Sequence, residues 1–150
     1  MKVESLVIEG YASLFGVEDL AGDVVRAGAF VRTLARGEEV RMLLSHVGGR
    51  PAGRWTTVRE DGRGLFVRGL VTDETPAGRA ALKLIGDRTM DGLSIGFIAS
   101  DWSPRSIRGR DLRRIELREI SLVTSPMLPG ARFTIAGAVD SLPKARAGLR

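Results

Sequence analysis

The chain has no cysteine and a single histidine, and these two shortages narrow its chemistry considerably. Without cysteine there is no disulfide framework, no thiolate nucleophile and no cysteine-ligated metal. A cytosolic setting fits this lack. One histidine, His46, excludes every site that needs two, HExxH metalloproteases among them. Aromatic residues make up only 5% of the chain and are not interleaved with the basic ones, as a base-stacking single-strand binder would require. No apolar run approaches the length of a membrane span, and the opening MKVESLVIEG does not read as a signal peptide.

What is present suits one domain. The length of 150 residues, with 43% hydrophobic and 27% charged content, is ordinary for a single soluble core. The net charge of +5 is unevenly spread, with acids in excess over residues 1–40 and bases in excess over 101–150. Such a basic half can meet nucleic acid, an acidic protein or nothing in particular. Nucleic-acid binding is the lesser alternative, given the sparse aromatics.

The hydrophobic periodicity predicts strands in VESLVIEGYASLF, EVRMLLSH, GRWTTVRE, GLFVRGLVTD, GLSIGFIASDW, LRRIELREISLVT and ARFTIAGAV. EDGRG joins two of these as a hairpin. Residues 16–23 read as a loop. Helices are predicted in AGAFVRTLARG, stopped by Gly37, and in TPAGRAALKLIGD, capped by Thr75 with Pro76 in its first turn. Strands and helices do not alternate regularly, which predicts an α+β fold, mainly β, with an antiparallel sheet or barrel and two or three helices outside. The domain is expected to span 1–136, with 137–150 a basic, mobile tail.

The stretch GLSIG matches the G-x-S-x-G elbow, but FIASDWSPR after it is a poor helix and the only histidine lies upstream, so an α/β-hydrolase is excluded. As a continuous strand, the stretch places Gly92, Ser94 and Gly96 on one face and Leu93, Ile95 and Phe97 on the other. The bare glycine face leaves clearance for a peptide across Ser94, or marks a bend. His46 ends its strand on the face of Val40, Met42 and Leu44. As a base it needs an acceptor to fix its tautomer. Alternation groups Glu119 with Ile115, Leu117, Ser121 and Val123, away from Glu116 and Arg118. A carboxylate among apolar neighbours needs a partner, either histidine or one of the many arginines.

Five blocks in order resemble the prohead (capsid maturation) serine proteases of tailed phages, relatives of herpesvirus assemblin. They are GYASLFGVEDLAGDVVRAGAF, MLLSHVGGRPAGRW, EDGRGLFVRGLV, DGLSIGF and LREISLVTSPMLPGARFTI. The resemblance implies a partly open β-barrel wrapped by helices, with His46 as general base and Ser94 as nucleophile. Herpesvirus relatives use a second histidine as third member, which this chain lacks. The phage branch carries an acid in L-x-E-x-S-L-V, which falls on Glu119. It further implies no metal or organic cofactor, a homodimer, and oxyanion donors in a turn near Ser125 to Gly130. The implied substrate is capsid or scaffold protein within the immature capsid, in the cytoplasm of a bacterial host. Gene transfer particles carry similar proteases. A catalytically inactive capsid-assembly or scaffold component is the competing class.

Overall fold

The computed structural model describes residues 4–140. Eight strands and two helices follow in chain order: β1 (Glu4–Leu14), β2 (Val24–Val25), α1 (Val31–Arg36), β3 (Arg41–Leu44) and β4 (Gly53–Glu60) come first. β5 (Gly64–Thr72), α2 (Pro76–Gly86), β6 (Gly92–Pro104), β7 (Arg110–Val123) and β8 (Phe133–Asp140) complete it. All strands join one sheet in the order β2-β7-β3-β4-β5-β1-β8, with β6 on the other edge of β7. Pairing is antiparallel except where β2 and β3 run parallel to β7. The sheet curls until, among the described residues, its ends meet at one short bridge. There Gly92 bridges Arg132, Leu93 N–H bonds Ala131 C=O, and Phe133 N–H bonds Asp91 C=O. The expected partly open barrel is the result.

β5 shows why the sheet curls around a core. Leu65, Val67 and Val71 point inward at a period of two and are fully buried. Gly69 occupies the remaining inward position because Trp55 and Met42 fill that space, at 2.5 and 2.8 Å from where a β-carbon would be. Ile8, Met42, Leu93, Ile115, Ile120 and Leu122 complete the buried interior.

Helix α2 starts as its sequence predicts. Thr75 accepts the Gly78 N–H at 3.0 Å and donates to Pro51 C=O at 2.6 Å, while Ala81 and Ile85 face the core. Helix α1 is shorter than expected. Residues before Val31 form turns, in which Glu60 takes the N–H groups of Gly28 and Phe30. That carboxylate supplies what a helical ladder otherwise would. Gly37, at φ 67°, ends α1 as expected.

The edge of β7 that carries β2 and β3 has a gap between them. Elements around α1 fill it: Thr33 donates to Ile115 C=O at 3.0 Å and accepts from Leu117 N–H at 3.1 Å, and Ala29 C=O takes Ile115 N–H. The expected domain limit at 136 needs correction, since β8 continues pairing with β1 through Gly137–Val7 to Asp140–Glu4. The remainder of the expected tail, 141–150, lies outside the described residues.

Candidate active site

β3 ends at Leu44, and the next two residues leave the sheet in the left-handed region, Ser45 at φ 52° and His46 at φ 61°. Val47 N–H closes the turn onto Leu44 C=O. Two positive φ values in succession are what a type I′ turn demands. His46 therefore does not share the face of Met42 and Leu44, as strand alternation suggested. The turn swings its ring over the other face of β7. There Nδ1 lies 2.6 Å from Glu119 Oε2.

Glu119 also reaches that face by departing from plain alternation. Gly96 pairs with Glu119, but the next β6 residue, Phe97, pairs with Leu117, so Arg118 is an extra residue in β7. Such a bulge reverses the faces on either side of it. The core residues are accordingly Ile115 and Leu117 before it, and Ile120 and Leu122 after it. Glu119 and Ser121 point away from the core, not along with Ile115 and Leu117 as expected. Glu119 is nonetheless covered, with 14% of its side chain exposed, because His46 and Ser121 close over it. Glu116 lies on the same outer face but is paired with Arg36, at 3.5 Å, near solvent.

Ser94 stands directly opposite Ser121 across the β6–β7 ladder. The expected division of β6 holds through this stretch, with Leu93 buried and Ser94 on the outer face with Gly92 and Gly96. The glycine clearance serves a different purpose from the one expected. A β-carbon on Gly96 would strike the Glu119 carboxylate, and one on Gly92 would strike the Pro126 ring at 2.7 Å. The chain's own groups occupy the space. Ser121 and Gly96 were not singled out as site residues from the sequence. The E-x-S spacing on β7 and the glycine two residues beyond Ser94 were the available signals.

His46 and Ser94 line one cleft of about 300 Å³, with Leu14, Val17, Leu93, Leu112 and Leu128 among its apolar walls. A larger groove of about 610 Å³ beside Trp55 and α1 contains neither residue. With Nδ1 committed to a carboxylate, the imidazole carries its proton there and keeps Nε2 as the basic nitrogen. Met127 and Leu128, from the turn after β7, also line the cleft. Among the described residues, no cluster of His, Asp and Glu is built to hold a metal ion.

The loop 16–23 forms another wall, and arginines of the β6–β7 hairpin clasp it. Glu18 pairs with Arg105 at 2.6 Å and Arg108 at 3.3 Å. Asp23 accepts from the Arg110 backbone and guanidinium, both at 2.8 Å. The hydrogen bond from Arg105 holds the Glu18 carboxyl below the usual range, whereas burial pushes the Asp19 carboxyl up. Arg110 in turn lies over the rings of Phe97 and Trp102.

The sequence profile of the family described as caudovirus prohead serine protease matches residues 1–144. The prohead protease of Enterobacteria phage HK97 is 37% identical over 145 residues, covering 93% of this chain and 64% of the relative. The chain thus spans somewhat under two thirds of that relative's length. Among solved structures, the KSHV protease, in complex with a hexapeptide phosphonate inhibitor, aligns with a TM-score of 0.57 at 12% identity, over 91% of this chain and 66% of that one. The varicella-zoster virus protease aligns with a TM-score of 0.55 at 16% identity, over 94% and 66%. At such identities these two establish likeness of fold.

Proposed function

The chain belongs to the caudovirus prohead serine protease family, and from that premise we propose that it is a serine endopeptidase of capsid maturation. Its substrate is capsid or scaffold protein, cleaved within the immature shell in the cytoplasm of a bacterial host. Ser94 attacks the peptide carbonyl while His46 Nε2 takes the hydroxyl proton. The tetrahedral intermediate collapses to an acyl-enzyme as His46 returns that proton to the leaving amine. Water, activated by the same imidazole, then releases the acid product. Glu119 fixes the tautomer and stabilises the imidazolium. The developing oxyanion needs N–H donors, which we assign to the turn after β7. Pro126 and Pro129 have none to give, and Met127 and Leu128 already line the cleft. A homodimer is the expected assembly.

The observation that carries the reading is the 2.6 Å pairing of the sole histidine with Glu119, in the cleft that also holds Ser94. A fluorophosphonate reagent tests it by forming a covalent bond with an activated serine. Peptide mapping of the labelled protein is expected to find the adduct on Ser94, and S94A to stay unlabelled. Adduct formation on another serine, with Ser94 unmodified, would overturn the assignment.

A further inference from the structure

We infer that Ser121 is a positioning residue for the His46–Glu119 pair, an inference that rests on the catalytic reading of that pair. Its side chain is fully buried, and its hydroxyl is used in both directions. It donates to Glu119 Oε1 at 2.7 Å and accepts the backbone N–H of His46 at 3.0 Å. A hydroxyl has one proton, and with that proton on the carboxylate only its lone pairs remain, which suit an N–H donor.

These two bonds hold the two parts of the pair that sequence alone leaves loose. Glutamate has a long side chain with several free torsions, so its carboxylate can face Nδ1 through Oε2 in many poses. Anchoring Oε1 on Ser121 selects the pose seen. His46 stands in a left-handed conformation that its β-carbon disfavours. Its N–H, turned out of the β3 ladder, finds its acceptor in the Ser121 hydroxyl. One side chain thus ties the turn bearing the base to the acid, at the β7 residue directly opposite Ser94 in the ladder. Ser121 is closed off from the surface. It acts through Glu119 and His46.

The test compares S121V with S121T, which have the same shape and differ by the hydroxyl. Both are assayed on a peptide spanning the capsid-protein cleavage junction, alone and in an E119Q background. S121V is expected to lose kcat by on the order of ten- to a hundredfold with KM within about twofold, as misplacement of a reacting group does. S121T is expected to recover most of that loss. In E119Q, replacing Ser121 with valine is expected to cost less than in the wild type, since one of the two groups it positions is already disabled. An S121T protein as impaired as S121V would reduce the role to packing and overturn the inference. So would unchanged activity of S121V, or an undiminished loss in the E119Q background. Full activity of E119Q alone would instead remove Glu119 from the site, a failure of the underlying reading. Should S121V not fold, S121A, which adds no volume, takes its place against S121T.

Discussion

A β-carbon built on Gly96 would lie 2.2 Å from Glu119 Oε2 and 2.6 Å from its Cδ, so the carboxylate that meets His46 occupies room only glycine leaves. The obstructed group is the end of a flexible side chain, which can swing away at small cost to folding but not to chemistry. G96A is therefore expected to keep a melting temperature near that of the wild type while losing most activity. Normal turnover by G96A would show that the carboxylate is not needed where it stands. The two neighbouring acids separate the same question differently. E119Q removes the charge that supports an imidazolium and is expected to lower kcat by several orders of magnitude, as loss of the orienting acid does elsewhere. E116Q, whose partner is the half-exposed Arg36, is expected to be neutral in the same assay. Comparable effects of the two substitutions would break the distinction. The residues of the site were legible as types, namely a sole histidine, a glycine-flanked serine and a carboxylate in an apolar run. Their faces were not. One extra residue at Arg118 and two positive φ values at Ser45 and His46 reverse the directions that strict alternation assigns.

At the scale of elements, the loop 16–23 is a cleft wall that owes its place to charge. Asp23 is the covered end of the clasp, with 10% of its side chain exposed against 36% for Arg110. Removing the arginine side chain takes the guanidinium donors from a mostly buried carboxylate and leaves it the backbone N–H of residue 110, which costs about 2 kcal/mol. R110A is expected to show that loss in denaturant unfolding and a raised KM, while E18Q, at the exposed end, is expected to lower the unfolding midpoint at neutral pH by much less. Equal stability of R110A and wild type would mean that the wall stands without the clasp. The sign of the pH effect follows from Glu18. Its carboxyl is lowered in the folded state. Its contribution is thus complete above the unfolded value and is lost as pH falls through the lower folded one. The clasp is intact at neutral pH and weakens only in acid. None of this wall was legible beyond the word loop, because the partners lie some 85 or more positions away in sequence. Helix α2, by contrast, was readable from Thr75 and Pro76 because its signals are local.

Across the whole molecule, the charge asymmetry of the sequence resolves into internal pairing. Arg105, Arg108 and Arg110 of the basic half meet Glu18 and Asp23 of the acidic half, and Arg132 meets Asp91. Four arginines of the half that invited a nucleic-acid reading are thus engaged in ion pairs within the barrel. The barrel itself was legible because each strand but the two-residue β2 carries its own apolar period, and the hairpin from β4 to β5 carries its own turn. The parallel docking of β2 and β3 on β7 was not, since nothing in a four-residue strand specifies which edge it joins. That docking nevertheless carries His46 to Glu119, through β3, and makes the cleft. Proteolysis by Ser94 in this cleft is the central proposal. Co-expression with the capsid-protein precursor, followed by intact mass measurement of that precursor, tests it most directly. A truncated capsid protein is expected with the wild-type enzyme and an uncut one with a folded S94A variant. A capsid protein cut equally by both would contradict it.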